Sequence, residues 1–228
     1  CLLRSVLAAL LFAAPALAAE SPPVRSDRAV VTLVADAAAV APGVPFHIGL
    51  RQRLAPGWHT YWENPGDAGA PTEITLQLPD GAQAGPIEWP APHRLPYGPL
   101  VNFGYETEVL LPLAVTPPAT LAPGSSFTIR AEANWLVCER VCIPEEGVFE
   151  LTLPVAAEPA PAPDQKPLFA AAQAEQPRAS PFAASIGFDG MAGALRLEGP
   201  AIAPASVRDA FFFPRAWGVL DHATPQPV

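Results

Sequence analysis

Cys138 and Cys142, in the run Asn134-Trp135-Leu136-Val137-Cys138-Glu139-Arg140-Val141-Cys142-Ile143-Pro144-Glu145-Glu146, are the residues of this 228-residue chain best placed to do chemistry. Two thiols with three residues between them can close a disulfide that either braces the chain or exchanges with a partner thiol. As a brace it would be poor. The entropy a cross-link removes from the unfolded chain grows with the logarithm of loop length, so this loop falls well below the roughly 3 kcal/mol expected of a 15-residue loop. Exchange is the sharper reading, since strain in a tight loop makes a disulfide more reducible. Arg140 between the thiols favours a thiolate, while Glu139, Glu145 and Glu146 oppose it, so a strongly acidic thiol is not expected.

The backbone that holds the pair must bend. In an extended strand residues four apart are separated by roughly 13 Å, whereas a disulfide needs its Cα atoms within about 7 Å. A hairpin tip or a single helical turn through Glu139-Arg140-Val141 would serve. The strand-like Ser126 to Trp135 before it and Gly147 to Val155 after it favour a hairpin at a sheet edge, within reach of another protein.

The remaining elements follow from periodicity and punctuation. Ala29 to Ala35 and Pro45 to Leu54 are β-rich, the second alternating Phe46, Ile48, Leu50 against His47, Gly49, Arg51 in the period of a half-buried strand. Trp58 to Trp62, Glu73 to Leu78 and Tyr105 to Val115 continue the series, and Asn64-Pro65-Gly66-Asp67 carries a turn signal. Such spacing without amphipathic helices predicts an all-β fold, an antiparallel β-sandwich over 19–155. Trp58, Tyr61, Trp62, Trp89 and Trp135 read as core aromatics, with Trp135 also packing beneath the cysteine hairpin. The Asn64 to Thr72 loop reads as a partner-facing surface or a tight connection. Residues 156–181 turn to Ala, Pro and Gln and predict a linker, extended where Pro-rich, with a short helix over Lys166 to Glu175. Strands over Ser185 to Phe188, Ala194 to Glu198 and Val207 to Phe213 predict the start of a second β domain, 182–228, too short to close by itself and so expected to continue beyond Val228.

The compartment is expected from residues 1–18. Arg4 precedes an apolar run ending in Ala16-Leu17-Ala18, the pattern of a secretory signal peptide cleaved after Ala18, which would also remove Cys1. The rest carries 12 Arg and Lys against 22 Asp and Glu, a net charge of −10, and Lys166 is its only lysine. An acidic exported chain of this kind lacks the basic patch that nucleic acid requires.

The order Trp58-His59-x-Tyr61-Trp62-x-Asn64-Pro65-Gly66-Asp67, then Trp89-Pro90-x-Pro92-x-Arg94, Phe103-Gly104-Tyr105-Glu106, and Trp135-Leu136-x-Cys138 to Cys142-x-Pro144-Glu145 resembles the N-terminal periplasmic region of the DsbD/ScsB thiol:disulfide interchange proteins, closer to the ScsB branch. The resemblance covers about Val30 to Val155, and Phe211-Phe212-Phe213-Pro214 through Gln226 is similar to the start of the second β domain in that branch. It implies an immunoglobulin-like antiparallel β-sandwich and a protein-disulfide reductase component, periplasmic in an inner-membrane-anchored protein. Such a domain passes electrons from a transmembrane relay domain to periplasmic thioredoxin-fold partners. It further implies that Cys142 forms the mixed disulfide and Cys138 resolves it, with Trp135, Pro144 and Glu145 in supporting positions. A shielding loop with an aromatic-Tyr-Gly sequence is implied at Leu95-Pro96-Tyr97-Gly98, where Pro96 replaces the aromatic, so Tyr97 or Phe103 does the shielding, or the cap is built differently. The cysteine spacing is shorter than in DsbD. Isomerase reduction, cytochrome c biogenesis and copper tolerance are the processes the family serves.

No cofactor or metal is expected. His47, His59, His93 and His222 are scattered, and a soft copper site would want more than Met191, the only methionine. Asp67, Glu73 and Glu88 make no hydrolytic pair, and no serine lies in a nucleophile elbow. Two readings of different class remain: a redox-active exchange domain, or a noncatalytic immunoglobulin-like binding or assembly module whose disulfide pins a hairpin.

Overall fold

The structure is a computed structural model that describes residues 19–190, 192–200, 202, 207 and 210–227. The expected signal peptide, 1–18, and Met191 lie outside the described residues. In chain order the strands are Val24–Arg25 (β1), Ala29–Ala35 (β2), Ala37–Ala39 (β3), Phe46–Leu54 (β4), His59–Gly66 (β5), Glu73–Gln77 (β6), Gln83–Ala84 (β7), His93–Tyr97 (β8), Leu100–Glu106 (β9) and Glu108–Thr116 (β10). Ser126–Cys138 (β11), Cys142–Pro154 (β12) and Ala160–Pro161 (β13) follow, then the helix Lys166–Ala174 (α1) and the strands Ala183–Asp189 (β14) and Ala192–Glu198 (β15).

Two antiparallel sheets face each other, as expected of an immunoglobulin-like sandwich. One runs β1-β2-β4-β10-β7; the other runs β12-β11-β5-β9-β8, with β6 also pairing β11. Alternation supplies the core between them: Val31 and Leu33 of β2, Ile48 and Leu50 of β4, and Leu111 and Leu113 of β10 meet Phe127, Ile129 and Ala131 of β11 and Phe149 and Leu151 of β12. Phe46 and Phe127 meet edge to face across the layers, with ring centroids 6.0 Å apart.

β11 and β12 form a long hairpin in register from Ser126↔Pro154 to Cys138↔Cys142. Pro144 has no N–H to donate and is tolerated because β12 is the edge of its sheet, where it also blunts pairing with other chains. The other side of β11 is divided. β6 takes Arg130 to Asn134, and β5 reaches it at Cys138↔His59.

Three expectations are corrected. Asn64-Pro65-Gly66-Asp67 is not a reverse turn: β5 continues to Gly66 and returns to register with β9 at Gly66↔Asn102 after a bulge beyond Tyr61↔Gly104. Gly66 takes φ 85°, and a Cβ there would meet the Val101 carbonyl oxygen at 2.5 Å, so the bulge needs glycine. Leu95-Pro96-Tyr97-Gly98 is not a loop but the end of β8 and the first residue of a tight hairpin to β9. Gly98 has φ 60° and Pro99 follows it, the residue pair of a type II′ turn. The described residues of Val207 to Phe213 form no strand; Phe211 and Phe213 pack instead on the first sandwich, against Phe103.

The segment after the sandwich also differs from an extended linker. β13 pairs with β3, and α1 lays Leu168, Phe169 and Ala172 against Val34 and Leu110. The Ala91 amide donates to the Glu175 carbonyl and Gln176 Nε2 to the Glu88 carbonyl, so this stretch is tied down along its length. β14 and β15 pair as a separate hairpin.

Candidate functional site

The cysteines lie at the tip of the β11–β12 hairpin, directly opposed, with Cα atoms 4.2 Å apart and the sulfurs joined as a disulfide. Glu139, Arg140 and Val141 make the connection, and Val141 is 66% exposed. The two sulfurs belong to different environments: Cys138 is 1% exposed, whereas Cys142 is exposed at the surface.

Alternation along β11 explains the difference. Trp135 and Val137 point into the core, so Cys138 points to the outer face of the sheet and is buried there by something laid over that face. The cover is built on β5. His59 is the register partner of Cys138 and Tyr61 follows two residues later, so both share its face. The Tyr61 hydroxyl donates to Cys138 Sγ at 2.8 Å and lies 3.2 Å from Cys142 Sγ. Above the ring, the backbone at Gly69 comes so close that a Cβ would stand 2.3 Å from Tyr61 Cε1, with Gly69 at φ 105°. Tyr61 is thus fully buried yet outside the main core, which corrects its reading as a core aromatic; Trp62, its neighbour, is the one that faces inward.

Burial pushes the Tyr61 phenol up to about 12, and Tyr97 adds to the rise. It therefore remains a protonated donor at neutral pH, able to stabilise a thiolate on either sulfur. Burial pulls His59 below the usual histidine value, against the opposing pull of Glu106. His59 is 8% exposed, its ring meets Tyr61 edge to face at 5.3 Å, and its buried Nε2 has no hydrogen-bond partner.

The other expected residues divide. Tyr97 reaches the site, its hydroxyl donating to the Arg140 carbonyl in the hairpin tip. Pro96 and Gly98 are exposed beside it, while Leu95 is buried. Phe103 is fully buried in the core, its ring against Phe211, Phe213 and His222. Trp135 is held by Glu145, its register partner, through Nε1 donating to Oε2 at 3.1 Å; Glu145 Oε1 accepts from Arg28 Nε at 2.7 Å. Pro144 lies exposed opposite Leu136. Among the described residues no group of three or more His, Cys, Asp or Glu side chains converges to hold a metal.

Tyr61 and His59 are the residues that sequence reasoning passed over. Their signal lies in the pairing of β5 with β11: with His59 opposite Cys138, the i and i+2 residues of Trp58-His59-Thr60-Tyr61-Trp62 fall on the cysteine face.

A β-sandwich presenting a disulfide at the tip of its longest hairpin, one sulfur exposed and the other held by a buried phenol, defines a thiol–disulfide exchange domain. The family model for the N-terminal region of the thiol:disulfide interchange protein DsbD matches residues 30–154, more than half of the chain. The chain belongs to that family. No curated protein sequence matches it. Among solved structures, the N-terminal periplasmic domain of ScsB from Proteus mirabilis is similar, with TM-score 0.60 and 23% identity over 79% of this chain and 69% of that one, a likeness of fold. The N-terminal domain of Neisseria meningitidis DsbD in the reduced form aligns at TM-score 0.30 and 15% identity, over 54% of this chain and 85% of that one. The GAE domain of yeast GGA1 aligns at 0.33 and 10%, over 57% and 97%. Among the described residues no helix is long and apolar enough to cross a membrane.

Proposed function

We propose that this chain is a periplasmic protein-disulfide reductase domain that relays electrons from a membrane-embedded reductase domain to thioredoxin-fold partners through Cys138 and Cys142. The observation that carries the reading is the inequality of the two sulfurs under one phenol: an exposed Cys142 that a partner can reach, and a buried Cys138 whose thiolate Tyr61 can hold. In the productive direction the Cys142 thiolate attacks one sulfur of the partner disulfide, whose other sulfur leaves as a thiolate. Cys138 then attacks Cys142 Sγ, the mixed disulfide breaks, and the partner departs with two electrons while this pair closes. Recharging runs the same exchange backwards, a donor thiolate attacking Cys142 Sγ and expelling Cys138 as the leaving group.

Tyr97 serves as the shield in this reading, since its hydroxyl on the Arg140 carbonyl fastens the β8–β9 tip to the connection between the cysteines. A partner that docks on the exposed Cys142 meets that contact at the edge of the sulfur. Phe103, turned into the core, supports β9 from below. The test is the reduction potential of the pair, measured by equilibration with a dithiol buffer. A value above about −300 mV agrees with exchange; a pair that stays oxidised well below it behaves as a structural brace and overturns the reading.

A further inference from the structure

Four side chains form a row across four strands: Cys142 on β12, Cys138 on β11, His59 on β5 and Glu106 on β9, each the register partner of the next. Partners in a row share one face, with neighbouring Cβ atoms about 4.5–5.5 Å apart. The second residue of that row uses its sulfur, and the third leaves a ring nitrogen idle. His59 Nε2 is buried without a partner in the disulfide form; among the described residues Thr32 Oγ1, Gln52 Oε1, Trp62 Nε1 and His222 Nε2 share that condition, but of the five only His59 stands in register with a cysteine. Leaving such an atom unpaired is costly and calls for an explanation.

We propose that His59 Nε2 is the hydrogen-bond acceptor for the Cys138 thiol once the disulfide opens, so that His59 favours the reduced form of the pair. The inference rests on the exchange reading above and deepens it. When a dithiol reduces the pair, the S–S bond breaks and two S–H bonds form; both electrons and both hydrogens come from the dithiol, which leaves as a disulfide. The sulfurs must then separate from about 2 Å to a contact of roughly 3.5 Å or more. Cys142 can turn to solvent. Cys138 is enclosed, with Tyr61 already donating to it, and its own new proton needs an acceptor. The neighbour in register supplies one.

The groups facing His59 agree with an accepting role. Glu106 flanks it from β9, Tyr61 lies beside it on β5 with Tyr97 beyond, Cys138 faces it from β11, and Glu139 approaches the start of β5 at Gly57. Burial keeps the imidazole neutral at pH 7, leaving a lone pair free.

The experiment compares reduction potentials of the intact chain and its His59→Phe and His59→Gln variants in dithiothreitol buffers, with nitrogen NMR of the His59 ring in both redox states. His59→Phe removes the idle nitrogen from the oxidised form and the acceptor from the reduced one, so the reduced population falls about tenfold, or roughly 30 mV. His59→Gln recovers part of that through its amide oxygen. In the unsubstituted chain the Nε2 resonance moves on reduction, a readout that needs no variant to fold. An unchanged potential in His59→Phe together with an unmoved Nε2 resonance overturns this inference and leaves the exchange reading standing. A pair that dithiothreitol cannot reduce overturns both.

Discussion

Replacing Tyr61 by Phe removes one oxygen and keeps the ring that Gly69 covers. The phenol donates to Cys138 Sγ at 2.8 Å and lies 3.2 Å from Cys142 Sγ, in a place closed to solvent. A hydrogen bond to a charged acceptor contributes about 1.5–3 kcal/mol, and 1.36 kcal/mol corresponds to one pKa unit. In reduced protein Tyr61→Phe should therefore raise the Cys138 thiol pKa by about 1–2 units. Reduction by a small dithiol should slow as well, because attack on Cys142 expels Cys138 as a thiolate. The loss is up to about tenfold for each 1.4 kcal/mol that the transition state feels. The assay is the Cβ carbon NMR shift of Cys138 followed against pH, paired with stopped-flow reduction. Oxidised Tyr61→Phe should melt close to the parent, since the ring remains. An unchanged thiol pKa and rate would refute the assignment of the phenol as the thiolate's donor.

Gly69→Ala places a Cβ 2.3 Å from the same ring at φ 105°, so it should cost about 1–3 kcal/mol in urea unfolding and raise the Cys138 pKa although the hydroxyl is intact. His47 and His59 should titrate on opposite sides of 6.5 by NMR. His47 is raised by the hydrogen bond it donates to Asp36, against burial and aided by the Asp36 and Glu88 charges; His59 is lowered by burial against Glu106. The His47 contribution to stability is full below pH 6.5 and fades as pH rises through its raised folded value; His59 costs stability as pH falls from 6.5 towards its lowered one. Urea midpoints for Asp36→Asn should lose the first trend only. The segment 210–227 is held by the Asn64 amide donating to the Pro214 carbonyl at 2.7 Å, by Arg215 on Glu63, and by buried His222 against half-buried Asp67 at 2.9 Å. His222→Ala should cost about 1–3 kcal/mol and open that segment to protease; unchanged cleavage would show that the other contacts suffice.

The hairpin is legible in the sequence, because β-rich stretches flank both cysteines and a four-residue separation cannot close a disulfide without a bend. Strands β2 and β4 were equally plain in their alternation. What alternation cannot say is which face of a strand is covered. Tyr61 and Trp62 are both buried and both aromatic, yet one meets the sulfurs and the other the core, and only the bulge after Tyr61 and the close approach of Gly69 make the outer face a second interior. The turn chemistry of Asn64-Pro65-Gly66-Asp67 was real but served that bulge. Its side chains hold residues more than a hundred positions away, a pairing that no local pattern encodes. Phe211 and Phe213 looked like strand residues because aromatic runs favour strands; packing on Phe103 took precedence over propensity.

The central claim is that Cys142 and Cys138 exchange electrons with a visiting protein. It is tested most directly by mixing the Cys138→Ala variant with a periplasmic thioredoxin-fold protein activated as a mixed disulfide, and resolving the products without reductant. A covalent complex joined through Cys142, absent for Cys142→Ala, is the predicted result. A complex formed only by Cys142→Ala would reverse the two roles, and no complex with either variant would contradict the account.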